Sequence, residues 1–195
     1  MSRLNELLDE IRELEARVAD EITSEADELG YTIRRGRVRF EEGVREKHLS
    51  LTKHINDYLG ECSWPGLLVS PVVYSLIVPV MIFDIFIFFY QLICFSIYKI
   101  PRVRRRDYIV LDRHKLQYLN AIERFNCLYC SYANGFIAYV QEVAARSEQY
   151  WCPIKHAQKL ETTHSRYYNF LPYGDAEAYV NELQRIRDEL EQKTG

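Results

Sequence analysis

Four side chains in the C-terminal half have the types and the spacing of a metal site. Cys127 and Cys130 form a C-x-x-C, and Cys152 is followed four residues later by His156. A C-x-x-C brings two sulfurs to one side, as a turn or as one helical step of three. Cys152-Pro153 reads as a helix entrance, because proline suits the first helical position. A helix there would set Cys152 and His156 on one face, and its positive end would help keep the thiol ionised. Three thiolates and one imidazole converging from a turn and a helix start are the donor set of a closed structural zinc site. The same ligands suit an iron–sulfur centre or a redox dithiol, and free cysteines also serve as small core hydrophobes. His164 is an alternative fourth ligand, while His54 and His114 lie scattered.

The chain carries five cysteines. An odd count and the C-x-x-C argue against a secreted disulfide framework and for a reducing compartment. The charged opening predicts no cleavable leader. The sequence contains no glycine-rich phosphate loop, no Gly-x-Ser-x-Gly, no His-Glu-x-x-His and no paired-histidine cluster, so no catalytic residue is assigned and enzyme activity stays open.

The elements that must position these ligands begin with a membrane signal. From Pro65 to Tyr98 the only charged residue is Asp84. A hydrocarbon core ~30 Å thick needs about 20 apolar helical residues to cross. A basic cluster follows at once: Arg102, Arg104, Arg105 and Arg106. Beside a membrane segment, such a cluster most simply meets anionic lipid headgroups, so no nucleic-acid partner is expected. Tyr90, Tyr98 and Tyr108 straddle the cluster, and aromatic rings favour the interface.

Positive flanks stay cytoplasmic, which places the residues after the cluster inside. A single span would then export a basic N-terminal region. That conflict favours a shallow re-entrant hairpin turning near Pro79 over one tilted helix kinked there. An ionised carboxylate inside the apolar run marks a function or a pairing, unless Asp84 sits near the hairpin turn and reaches water. Gln91, at i+7, is placed to hydrogen-bond it through an intervening group or a neighbouring subunit.

Residues 1–30 hold ten acids and three bases, and Leu4, Leu7, Ile11, Leu14 and Val18 recur in steps of three and four. That pattern is an amphipathic helix, resting on its own domain or forming a short coiled coil. Gly30 should end it. Tyr31–Arg34 and Arg37–Phe40 alternate basic with β-branched or aromatic residues, as a small hairpin does. Asp112 is a candidate N-cap for a helix through Leu116, Leu119, Ile122 and Phe125. Asn134-Gly135 is a turn signal, with a second apolar stripe from Phe136 to Ala144. Asp175 should cap the last helix.

The stretch from about Pro71 to Tyr179 resembles a widespread group of bacterial membrane-associated proteins without an assigned activity. The similarity rests on Tyr74–Pro79, Arg102–Tyr108, Cys127–Gly135, Tyr150–Ala157 and Tyr173–Glu177. It implies a bacterial membrane origin and carries no function with it.

The expected fold is mostly α: a membrane-embedded helix or re-entrant helical hairpin plus a small helical cytoplasmic domain with a Cys3His metal-type site. The segments are an acidic coiled-coil arm (1–29), a basic hairpin and helix (30–64), the membrane segment (65–100) and the cytoplasmic domain (101–195). The expected function is a metal-stapled scaffold or adaptor on the bacterial inner membrane. It would bind anionic lipid through the arginines, and a partner or a second copy through residues 1–22. The rival is a redox or metalloenzyme component using the same four ligands, with iron–sulfur in place of zinc. A weaker third reading is a lipid-surface regulator acting through the arginines.

Overall fold

The structure, a computed structural model, describes residues 3–34 and 37–192. It is mostly helical. Its contacts divide the chain into two compact units, residues 1–61 with 112–125 and residues 62–111 with 126–195. These units cross the four sequence segments. The acidic arm shares a unit with the basic hairpin, and the apolar segment shares the other with the C-terminal helices.

In the first unit, α1 (Arg3–Glu28) is a single helix. Its seam residues Leu7, Ile11, Leu14, Val18 and Ile22 are 48–59% exposed, so these side chains are not packed within this unit; the Leu4 side chain lies outside the described residues. Gly30 ends the helix at φ +65°, and a Cβ there would lie 2.8 Å from Val44 Cγ2, so both the backbone and the space demand glycine. The expected hairpin is present: β1 (Tyr31–Arg34) pairs antiparallel with β2 (Arg37–Phe40), Tyr31 opposite Phe40 and Ile33 opposite Val38. Two strands alone are marginal in water; here an aromatic ladder supports them, running from Tyr31 through Phe40 and His48 to Tyr118. His48 lies on α2 (Glu42–Ser50), and α3 (Ile55–Glu61) follows. Gln117 ties in the 112–125 segment. Its side chain accepts from Arg45 Nε at 3.2 Å, and its carbonyl accepts from the Thr52 hydroxyl at 2.8 Å.

Asp112 does not cap a long helix. It precedes only a 3-10 turn, Arg113–Lys115, and makes no side-chain cap bond. The long helix starts later, because Asn120 is the better cap. Its Oδ1 accepts from the Ile122 and Glu123 amides at 3.0 Å, and the Glu123 carboxylate accepts from the Asn120 amide at 2.9 Å. That reciprocal arrangement is a capping box.

In the second unit the apolar segment is one helical run from Trp64 to Phe95, 32 residues long. It comprises α4 (Trp64–Ser75), α5 (Ile77–Tyr90) and one π-helical turn, Gln91–Phe95. The re-entrant hairpin is therefore absent. Pro79 has no amide to offer the Ser75 carbonyl, which breaks the ladder at Leu76 between α4 and α5 without reversing the chain.

After Tyr98 the chain leaves the helix at Lys99, a non-glycine residue at φ +55°. Residues 100–111 form a strap, whose first half runs back along the apolar helix, Arg102 bonded to Ser96, Val103 to Gln91 and Arg105 to Asp84. Ile100 and Val103 from the strap, Ile87 and Phe95 from the apolar helix, and Phe136, Tyr139 and Val143 from the next helix form the core of this unit.

That next helix, α6 (Ala121–Trp151), passes straight through Asn134-Gly135. The glycine is there for contact, not for a turn. A Cβ at residue 135 would sit 2.6 Å from the Tyr108 carbonyl oxygen and 2.9 Å from Ile109 Cα, so only glycine lets the strap backbone lie against the helix. Pro153 then follows the end of α6. The chain crosses through a parallel bridge between Ile154 and Leu171 to α7 (Ala176–Gln192), whose entry is capped as expected by Asp175 accepting from the Ala178 amide at 2.9 Å.

Candidate functional site

The four expected metal ligands do not converge. Cys127 and Cys130 lie within α6, not in a turn. Cys152 does not open a helix; it continues the last turn of α6, its amide donating to the Glu148 carbonyl at 2.8 Å. Cys127 and Cys152 are thus about 25 residues apart along one helix, roughly 37 Å at 1.5 Å per residue. A tetrahedral zinc needs its sulfurs about 2.3 Å from the ion, so these residues fit neither a shared zinc nor a shared cluster. Cys130 and Cys152 are exposed. His156 stacks on Tyr167 at 6.2 Å, and His164, the alternative ligand, sits 2.9 Å from a Glu148 carboxylate oxygen. Among the described residues no group of three or more His, Cys, Asp or Glu side chains is placed to hold a metal. The sequence pattern misled because the long helix separates its halves: the apolar stripe continues through Gly135, where a turn would have folded them together.

The geometry instead gathers around the charged and amide residues of the apolar helix. Asp84 points inward, with its side chain 14% exposed. Both its oxygens accept from Arg105, through Nε at 3.3 Å and through a short contact from Nη2, and Oδ2 also accepts from the Tyr132 hydroxyl at 2.8 Å. The Arg105 guanidinium lies 5.8 Å from the Tyr132 ring centroid. The hydrogen bond to Asp84 outweighs the desolvation of Arg105 and holds the guanidinium protonated. Burial, followed by the hydrogen bond to Asp84, pushes the Tyr132 phenol above its ordinary value.

Gln91 repeats the device two turns further along the apolar helix, at the start of its π-helical turn. It is 5% exposed, donates to the Tyr139 hydroxyl and accepts from the Val103 amide at 2.8 Å. Asp84 and Gln91 therefore pin two strap residues, Arg105 and Val103. The sequence contained a signal for the first pairing: a lone acid in an apolar run needs a counter-charge, and the arginine cluster is the nearest. Gln91 was expected to reach Asp84 and does not.

A second polar cluster was not anticipated. Glu142 Oε1 accepts from Arg146 at 2.8 Å and from Arg166 at 2.8 Å, all three side chains being 12–18% exposed. Arg146 also donates to the Pro101 carbonyl at 2.7 Å, and Arg166 to the Gln149 side chain at 2.8 Å. Gln149 in turn donates to the Ile186 carbonyl at 3.0 Å. Burial alone would raise the Glu142 carboxyl, but the hydrogen bonds from Arg166 and Arg146 outweigh it and set the group below its ordinary value. This network ties the strap, α6, the 152–171 crossing and α7 together, the role expected of the metal. The i,i+4 spacing of Glu142 and Arg146 was its only sequence trace.

Arg102, Arg104, Arg105 and Arg106 are all exposed on the strap. Arg102 donates to Ser96 Oγ at 2.7 Å, and the Arg106 side chain is 79% exposed. Arg105 is fastened to the helix through Asp84; the other three are exposed, Arg102 while bonded to Ser96.

Comparison with protein-family models, with curated proteins and with solved structures finds no match to this chain.

Proposed function

We propose that this chain is a membrane-anchored adaptor of the bacterial inner membrane. The observation that carries this reading is the inside-out character of the Trp64–Phe95 helix. Its polar side chains Tyr74, Asp84, Tyr90 and Gln91 face protein partners. Leu68, Val72, Ile82, Phe86, Ile93 and Ile97 stand 51–69% exposed on the opposite side. Leaving so large a contiguous apolar face in water is strongly unfavourable, at about 25 cal/mol per Å2, and such faces mark interaction surfaces. Acyl chains are the occupant that asks nothing polar of it.

The exposed arginines supply attraction to anionic headgroups, which are enriched at the cytoplasmic leaflet; the chain after the strap would then be cytoplasmic. The uncovered seam of α1 offers a docking stripe to a second helix, from a partner or another copy. The glutamate–arginine network staples the strap, α6, the 152–171 crossing and α7 together. The rival reading, a redox or metalloenzyme component sharing all four of Cys127, Cys130, Cys152 and His156, is less well supported, because the first two lie near the start of α6 and the last two beyond its end.

Fractionation of cells expressing the full chain tests the reading. The protein should stay in the membrane pellet after alkaline carbonate and high salt. Release into the soluble fraction would contradict it.

A further inference from the structure

A helix this apolar and this long invites the reading of a bilayer span, and the strap argues against it. Asp84 falls near the middle of the densest apolar stretch, Val72 to Ile97. The strap returns along the helix and fastens Arg105 to Asp84. Arg104 and Arg106 flank Arg105 and are exposed, Arg106 to 79%. If the helix stood across the bilayer, these guanidiniums and Asp107 would hang at the mid-plane, where charged side chains are most unfavourable. They could not snorkel along the helix, because the clasp holds their backbone at that level. The length agrees: at 1.5 Å per residue the run is about 48 Å long, and fitting all of it within a ~30 Å core would demand a tilt beyond the usual limit of about 40°.

Laid flat, the same geometry has no conflict. An interfacial helix buries one face about 5–10 Å into the boundary between headgroups and acyl chains and keeps a cationic face toward water. This helix is apolar nearly all round, so it has no cationic face of its own. The strap provides one, clipped on through Arg105 to Asp84 and Val103 to Gln91, with Arg102, Arg104 and Arg106 facing out.

We infer that the Trp64–Phe95 helix is a monotopic anchor lying in the plane of one leaflet, with the outward arginines of its clipped-on strap on the anionic phosphates of that leaflet. The inference deepens the proposed function and rests on the helix being a lipid anchor. Both ends of the helix, and the strap between them, then lie on one side of the membrane.

Single-cysteine versions of the full chain, made on a cysteine-free background, separate the arrangements. Gly60→Cys precedes the helix, where a Cβ meets nothing within 4 Å. Lys99→Cys follows the helix, and Arg106→Cys marks the strap. Sealed right-side-out and inside-out vesicles are treated with a membrane-impermeant maleimide. The expected result is that all three positions react in the same vesicle orientation and none in the other. Labelling of Gly60→Cys and Lys99→Cys from opposite faces, with Arg106→Cys unreactive from both, would overturn the in-plane arrangement and leave the anchor standing. Recovery of the variants and the parent alike in the soluble fraction, as a complex that shields the apolar face, would overturn the anchor itself.

Discussion

Asp84, the one acid in the apolar run, forms a forked ion pair with Arg105, which arrives from the strap with a tyrosine hydroxyl closing the third side. The pair turns the lone charge of the helix into a fastening. Asp84→Asn and Arg105→Gln should each lower stability by roughly 1–2 kcal/mol, discounted because Arg105 is half exposed. A double-mutant cycle read by denaturant unfolding should show coupling between them. Independent, additive effects would mean that the clasp does not hold the strap.

Gly135→Ala sets two effects against each other. Alanine favours a helix interior over glycine by about 1 kcal/mol. The new methyl group would meet the Tyr108 carbonyl 2.6 Å away, and backbone cannot give as a side-chain tip can. Overpacking of this kind costs about 1–3 kcal/mol, so the variant should melt below the parent. A higher melting temperature would show that the strap does not lie against α6.

Glu142 makes stability depend on acid. Its folded carboxyl sits below the unfolded value, so its stabilisation is complete above about pH 4.3, the ordinary glutamate pKa, and disappears as pH falls through the lower folded value. Glu142→Gln should cost about 2–3 kcal/mol near neutrality, because it leaves Arg146 and Arg166 mostly buried without their counter-charge. The gap between parent and variant should narrow as the medium becomes acidic. Chemical unfolding at several pH values measures it, and a gap independent of pH would remove Glu142 from the network's centre.

Much of the fold was legible because it is written locally. Apolar runs, Gly30, the alternating hairpin and Asp175 each act within a few residues of themselves. What was not legible is where distant segments meet. Gly135 looks like a turn until the strap is laid on it. Asp112 looks like a cap until Asn120, with Glu123 three residues on, shows the stronger capping geometry. The thiol pattern has ligand spacing on paper, but spacing implies proximity only if the intervening chain folds back. The stripe that begins at Phe136 is the continuation of the helix carrying Cys127, so the chain does not. The hairpin expectation failed for a related reason: Pro79 interrupts the helical ladder but does not reverse the chain, so Trp64 to Phe95 stays one helical run.

Cys152→Ser follows from that separation. The thiol is exposed and far from Cys127, so the variant should unfold within about 0.5 kcal/mol of the parent, as ordinary surface changes do. Collapse of the C-terminal unit on this substitution would restore the metal staple.

On the proposed function, lipid covers the outer face of the apolar helix with help from the exposed arginines. Flotation of the purified full chain with vesicles of neutral lipid, and of neutral lipid mixed with phosphatidylglycerol, tests it most directly. The parent should rise with both, more tightly with the anionic vesicles. Changing Arg102, Arg104 and Arg106 together to glutamine should weaken the anionic preference by roughly a hundredfold, at about 1 kcal/mol per charge, while leaving neutral binding intact. A parent chain that stays at the bottom of the gradient with either vesicle would contradict the account.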